Sequence, residues 1–106
     1  MSGLTVMARA KAKPGREAEL EQAMRAIVVP THQESGCLRY ALHRSLLDPS
    51  IFMTVEHWTS KEAVDQHFAT AHVQALLRQV PELLSEPPDI TLYELLPEGQ
   101  SEKGRL

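Results

Sequence analysis

The chain has 106 residues, 42% of them hydrophobic and 24% charged, with a formal net charge of −3 and one cysteine. These values are typical of one globular domain, and the negative charge disfavours nucleic acid as a partner because nucleic acids bind basic surfaces. A single cysteine excludes an internal disulfide. The chain shows no signal-peptide pattern and no apolar run near the roughly 18 residues of a membrane span, so we expect no membrane partner and a cytoplasmic location.

The first third of the sequence predicts a strand followed by a helix. Polar and apolar residues alternate over residues 4–13, which indicates a half-buried strand. Pro14-Gly15 ends that strand. Over residues 16–29, apolar residues recur at helical spacing, among them Leu20, Met24 and Ile27. Pro30 is expected to end or kink this helix, because proline disrupts a helix interior.

A β-hairpin is predicted next. Strands over residues 37–47 and 51–58 flank a strong turn signal at Asp48-Pro49. Because side chains alternate between the two faces of a strand, one face of the later strand carries an unusual mixture of apolar and polar groups: Phe52, Thr54, Glu56 and Trp58.

A second helical region and a last strand complete the chain. The segment from Thr59 to Glu62 matches a capping box, with Thr59 as the cap. The helix that follows carries His67 on its apolar stripe, and a further helix is expected to end at Pro81. Residues 90–96 form the last predicted strand, so we expect a domain over residues 1–97 and a polar tail over residues 98–106.

This element order predicts an α+β fold of the ferredoxin-like βαββαβ type, with one antiparallel sheet and helices on one face. The other face of the sheet is also predicted to be apolar. We place on it Cys37, Ala41, Ile51, Met53 and Val55. A second copy of the sheet is the simplest cover for such a face, which predicts a homodimer.

The central segment also resembles a known family. The resemblance rests on Gly36-Cys37, Tyr40, Asp48-Pro49, Phe52, Glu56, Trp58, Ala63, His67 and His72. This pattern is similar to that of the antibiotic biosynthesis monooxygenase domain family, and most similar to small quinol-monooxygenase-like members. The resemblance implies a dimeric α+β barrel of ferredoxin-like subunits, with a pocket between sheet and helices in each. For some members it implies oxidation of quinols or polycyclic phenols by dioxygen without metal, flavin or haem.

Other members of that family degrade haem, and three differences from them argue against this activity here. His67 stands where the haem-degrading members have tryptophan, and Leu77 stands where they have the haem-ligating histidine. The asparagine that they carry on the first strand is also missing. We therefore expect no cofactor, and a small aromatic substrate and dioxygen as the molecules bound.

His67 and Glu56 are the predicted catalytic residues. A histidine suits proton transfer at neutral pH, so His67 is expected to act as a base or as a donor to a developing oxyanion. Glu56 is expected to fix the tautomer of His67 or to stabilise its cation. The remaining candidates are expected to bind the substrate, as aromatic walls or polar contacts: Tyr40, Phe52, Trp58, Phe68 and His72.

Each of these residues also has an interpretation as an ordinary core or capping residue. Two other functions remain open: an isomerase or tautomerase of a small dicarbonyl, for which Arg39 and Arg44 are the nearby cations, and a non-catalytic small-molecule-binding domain. A metal site is not predicted, because His67 and His72 are five residues apart, whereas histidine ligands on one helix are three or four apart.

Overall fold

The computed structural model describes residues 3–105. Its strands are β1 (Leu4–Lys11), β2 (Cys37–Arg44), β3 (Ile51–Trp58) and β4 (Asp89–Glu94). Its helices are α1 (Glu17–Ala26), α2 (Val28–His32), α3 (Lys61–Ala69), α4 (Ala71–Arg78) and α5 (Val80–Leu83). Within these residues no helix is long and apolar enough to cross a membrane.

The four strands form one antiparallel sheet in the order β2-β3-β1-β4. The two central strands, β1 and β3, are joined by the α1–α2 segment and the β2 strand, as the βαββαβ order requires. The predicted ferredoxin-like α+β fold is therefore confirmed. The predicted hairpin is also present, since β2 pairs with β3 in antiparallel orientation. In the turn between them, the Asp48 carboxylate accepts hydrogen bonds from the backbone N–H and the hydroxyl of Ser50.

The face of the sheet that packs against the helices is the predicted one. All four residues of β3 on this inner face are buried: Phe52, Thr54, Glu56 and Trp58. Val6 and Ala10 of β1 lie beside them. The helices supply the other half of the core, with Leu20, Met24, Ile27, Val64 and Val73 buried. Removal of this apolar surface from water is the main term that holds helices to sheet.

Pro30 divides the first helical segment, as the sequence predicts. The helix α1 ends at Ala26, and Ile27 separates it from α2, which contains Pro30. A proline ring clashes with the carbonyl four residues before it, here that of Ala26, and provides no N–H for it. The helix therefore breaks after Ala26, whose carbonyl would otherwise need a backbone hydrogen bond from residue 30.

A β-bulge corrects the predicted position of Cys37. The pairing of β2 with β3 shifts between Cys37 and Arg39, so that Cys37 lies opposite Trp58 and Arg39 opposite His57. One extra residue in a strand reverses the faces of the residues before it. Cys37 therefore packs against the inner core, and the expectation that it lies on the outer face is wrong.

The start of α3 and the end of the second helical region also differ from the prediction. Ser60, not Thr59, caps α3, since its hydroxyl accepts a hydrogen bond from the backbone of Ala63 at 3.1 Å. Pro81 does not end the helical segment but lies in the first turn of the short helix α5, where its missing N–H has no cost.

Candidate functional site

An apolar cavity of about 80 Å³ lies between the inner face of the sheet and the helices. Its sheet side includes Ala8, Tyr40, Thr54 and Glu56, and its helical side includes His67, Phe68, Leu76 and Leu77. This is the place at which the resemblance locates a pocket. Leu77, the residue that stands in place of a haem ligand, contributes hydrocarbon to the cavity wall.

The segment between α3 and α4 brings His67 and His72 together. Thr70 has an extended backbone, which separates the two helices. Its hydroxyl donates to the carbonyl of His67 at 2.7 Å and accepts from the backbone of Val73 at 3.4 Å. Thr70 thus ends α3 and caps α4. The histidines lie on different helices, so the spacing rule for a single helix, which argues against their convergence, does not apply.

Both histidines bind one carboxylate, that of Glu34. Oxygen Oε2 of Glu34 lies 2.7 Å from Nδ1 of His67 and 2.8 Å from Nε2 of His72. The turn between α2 and β2 fixes Glu34, whose backbone N–H donates to Thr31 and whose carbonyl accepts from Cys37. Glu34 lies 33 residues before His67, and no pattern in the sequence predicted it as the partner of this histidine.

Glu56 is not the hydrogen-bond partner of His67, which corrects the predicted pairing. Its carboxylate accepts from the Thr54 hydroxyl at 2.6 Å and from the Trp58 indole N–H at 2.9 Å. All three residues point to the same face of β3, since they are two apart, and their side chains satisfy one another inside the core. Burial raises the pKa of Glu56 above its usual value, against the lowering effect of these two hydrogen bonds.

The contact with Glu34 selects the tautomer of neutral His67. An ionised carboxylate only accepts hydrogen bonds, so Nδ1 of His67 carries the proton that Glu34 binds. The other ring nitrogen, Nε2, then keeps its lone pair. Within residues 3–105, no protein group forms a hydrogen bond with this nitrogen. His67 is 3% exposed, and its ring lines the cavity, so the site holds a buried imidazole with a free basic nitrogen.

Aromatic rings surround His67. The ring centroids of Trp58, Phe68 and Tyr40 lie 4.6, 5.3 and 5.7 Å from that of His67. Of the five predicted substrate-binding residues, Tyr40 and Phe68 line the cavity. Trp58 and Phe52 lie in the core outside the cavity wall, which corrects their expected role. His72 is not part of the wall either, and its ring contacts the carboxylate of Glu34.

Two further titratable groups near the cavity are held in their protonated forms. Burial, with the charges of Glu34 and Glu56, raises the pKa of the Cys37 thiol to about 11. Cys37 is therefore a poor nucleophile at neutral pH. Burial and the charge of Glu56 also raise the pKa of Tyr40, whose phenol remains a hydrogen-bond donor.

The raised pKa of Glu56 predicts a pH-dependent stability that Glu56→Gln removes. In the unfolded chain this group ionises at its usual pKa, and in the folded protein it ionises at a higher pH. Its favourable contribution is therefore complete below the unfolded pKa and is lost as pH rises through the folded pKa. We expect urea unfolding from pH 4 to 8 to show this loss in the wild type and not in Glu56→Gln, whose amide can satisfy both Thr54 and Trp58. Glu62→Gln, which changes an exposed carboxylate on α3, is the control and is expected to keep the wild-type profile.

The chain is similar in sequence to known proteins. The model of a family described as antibiotic biosynthesis monooxygenase matches residues 3–79. A Mycobacterium tuberculosis protein named "Putative monooxygenase Rv0793" is 31% identical over 100 residues, which cover 94% of this chain and 98% of that protein. A Bacillus subtilis protein named "Putative monooxygenase YcnE" is 29% identical over 92 residues, which cover 87% of this chain and 97% of that protein.

A longer relative and a solved structure extend the comparison. The chain spans 63% of the length of an uncharacterised Synechocystis protein, to which it is 26% identical over 92 residues. The crystal structure of PA3566 from Pseudomonas aeruginosa superposes with a TM-score of 0.86 and 33% identity, over 91% of this chain and 96% of that one. The arrangement of sheet and helices is therefore shared with this solved structure.

Proposed function

Because the chain belongs to the antibiotic biosynthesis monooxygenase family, we propose that it oxidises a quinol or a related aromatic molecule with dioxygen and without a cofactor. One observation supports the chemistry most directly. His67 lines an apolar cavity with its Nε2 lone pair free, while Glu34 holds its Nδ1–H at 2.7 Å. This arrangement is that of a general base with a fixed tautomer.

The first step is removal of the substrate's acidic proton by Nε2 of His67, from the hydroxyl of a quinol or from the ring CH₂ of an anthrone. The resulting anion is electron-rich and transfers one electron to dioxygen, which gives a substrate radical and superoxide. These two combine to form a carbon–oxygen bond, and the imidazolium returns its proton to the peroxide. Loss of a C–H proton then breaks the O–O bond, which releases water and leaves a carbonyl. The substrate supplies all the electrons, so the atoms balance as substrate plus O₂ giving ketone or quinone plus water.

The other cavity residues have roles that follow from their positions. The Tyr40 phenol, kept protonated, donates a hydrogen bond to a substrate oxygen. Phe68 provides a flat apolar contact for an aromatic ring. Glu56 also lines the cavity beside His67. Its carboxyl group, whose pKa is raised by burial, is the second polar group that contacts the substrate there. The apolar surroundings exclude water from the radical pair.

The cavity must widen to admit such a substrate. Its volume of about 80 Å³ is below the roughly 150 Å³ of an engineered protein cavity that binds benzene. Leu76 and Leu77 of α4 line its helical side, and Leu76 is half-buried. We expect these side chains to move outwards when substrate binds, with α4 shifting on its Thr70 junction.

Oxygen uptake in metal-free buffer tests this function. The assay uses hydroquinones, naphthoquinols and anthrones, with no flavin added, and is followed by mass spectrometry of the products. We expect catalytic uptake with at least one class and transfer of label from ¹⁸O₂ into the product. Substrate binding without uptake would favour the non-catalytic alternative. Conversion of a dicarbonyl without uptake would favour the isomerase, and either result contradicts the proposal.

We propose in addition that the chain forms a homodimer through the outer face of its sheet. Val55 lies at the centre of this face, paired with Met7 on one side and Ala41 on the other. Met7 is 37% exposed and Tyr93 of β4 is 48% exposed, so the face presents apolar surface to solvent. Burial of that surface against a second copy gives a closed, two-fold assembly.

Light scattering after size-exclusion chromatography tests the dimer. The expected mass is twice 11.9 kDa. Val55→Glu, which places a charge at the centre of the face, is expected to give the monomer mass with an unchanged far-UV circular dichroism spectrum. Leu47→Glu changes a leucine of the hairpin turn that is 98% exposed and is expected to remain dimeric. A wild-type mass of 11.9 kDa across micromolar concentrations would exclude the dimer.

A further inference from the structure

We propose that Glu34, His67 and His72 form a binding site for a divalent transition metal ion. One oxygen of Glu34 lies 2.7 Å from Nδ1 of His67 and 2.8 Å from Nε2 of His72. The three candidate ligand atoms all lie within 4.8 Å of one another. They come from the α2–β2 turn, α3 and α4, which the core fixes against one another.

The spacing of these atoms is close to that of a tetrahedral zinc site. Metal–ligand bonds of about 2.0–2.1 Å place neighbouring ligand atoms roughly 3.3 Å apart. To admit Zn²⁺, the oxygen therefore needs to separate from each nitrogen by about half an ångström, while the two nitrogens, which lie within 4.8 Å of each other, need to approach. Two histidines with one carboxylate are also a ligand set that zinc and its neighbours in the first transition series accept, with a water molecule at the fourth position.

Access and charge both favour a cation. The side chains of His72 and Glu34 are 21% and 14% exposed, whereas that of His67 is 4% exposed, so an ion would enter from the His72 side. Glu34 supplies a carboxylate to this cluster, and the salt bridges of residues 3–105 pair it with no lysine or arginine.

Metal binding would also change the tautomer of His67, a consequence that rests on the proposed function. A metal takes the lone pair of Nδ1, so the ring proton moves to Nε2, and His72 likewise carries its proton on Nδ1. With a proton on Nε2, His67 no longer accepts the substrate proton. The bound ion therefore inhibits the oxygenation. Without metal, these residues keep the Nε2 lone pair of His67 free to accept the substrate proton, and with metal they hold the inhibitory ion.

Calorimetric titration of chelator-treated protein with Zn²⁺ tests the site. We expect one ion per chain, and weaker binding by about 100-fold in Glu34→Gln and in His72→Gln. His43→Gln is the matched control, because His43 is exposed and its Nδ1 contacts only the backbone carbonyl of Ala41. Absence of one-to-one binding, or equal binding by the Glu34→Gln and wild-type proteins, would overturn the proposal.

Two measurements on the wild-type protein keep the proposal testable if a variant does not fold. Ring ¹⁵N resonances of two histidines are expected to shift on Zn²⁺ addition, and Co²⁺ is expected to give visible bands of a tetrahedral site. Unchanged histidine resonances would exclude the site. Zinc is further expected to abolish oxygen uptake in parallel with occupancy. If zinc binds and no compound of the panel gives oxygen uptake, the metal site is supported and only the proposed function is contradicted. Oxygen uptake that is unaffected at full zinc occupancy would contradict the inhibition.

Discussion

His67→Gln is expected to lower kcat/KM for oxygenation by about 100-fold or more, because general-base catalysis contributes about 10²–10⁴-fold. Glutamine has a similar length, and its flexible side chain can turn an amide N–H towards Glu34, which accepts from Nδ1 in the wild type. It has no nitrogen that accepts a proton near neutral pH. The substitution therefore removes the base and retains the buried hydrogen bond to Glu34.

The measurement is steady-state oxygen uptake with the best substrate of the panel. The thermal midpoint of His67→Gln is measured beside it, to show that the variant is folded. His43→Gln, an exposed histidine on β2, is the control and is expected to retain wild-type kinetics. A folded His67→Gln protein with unchanged kcat/KM would show that this histidine is not the base.

Trp58→Ala is expected to cause the largest loss of stability, about 3–5 kcal/mol, as for other buried aromatic residues cut to alanine. Trp58 has no exposed surface, and it packs between β3 and the helices with Val6, Ile27 and Val64. The indole N–H also donates to Glu56 at 2.9 Å. Removing the ring therefore creates a cavity and leaves a buried carboxylate with one hydrogen bond fewer.

Trp58→Phe separates these two effects. It keeps most of the apolar volume and removes only the N–H donor, so we expect a loss of about 1–3 kcal/mol. Urea unfolding followed by circular dichroism gives both values, since the intrinsic tryptophan signal is lost with the residue. A loss below about 1 kcal/mol for Trp58→Ala would contradict the packing of this core.

The sheet was predictable because its signals are local. Alternation over eight residues determines which side of β3 faces the helices, and the turn at Asp48 determines how β2 and β3 pair. The bounds of β3 agree with the prediction at both ends. The bulge at Cys37 was not predictable in this way, because an extra residue is visible only in the pairing with β3.

The partner of His67 was not predictable from spacing. Glu56 is the nearest acidic residue on a buried face, and its indole and hydroxyl partners are only two residues away along the strand. Glu34 lies 33 residues before His67, in a turn, and only the packing of α3 against that turn joins them. One sequence signal was available: two helices were predicted in this region, and Thr70 between His67 and His72 is a good helix cap, so the spacing rule for ligands on one helix did not apply to this pair.

The central property of the site is the ability of His67 to take a proton from a bound aromatic substrate. Anaerobic visible spectroscopy measures it directly, because without oxygen the deprotonated anthrone accumulates and absorbs at longer wavelength than the neutral form. We expect the anion band when anthrone is mixed with wild-type protein at pH 7, in proportion to the bound fraction, and the neutral spectrum with His67→Gln. Bound anthrone that remains neutral in the wild type, or an equal anion band in both proteins, would contradict the account.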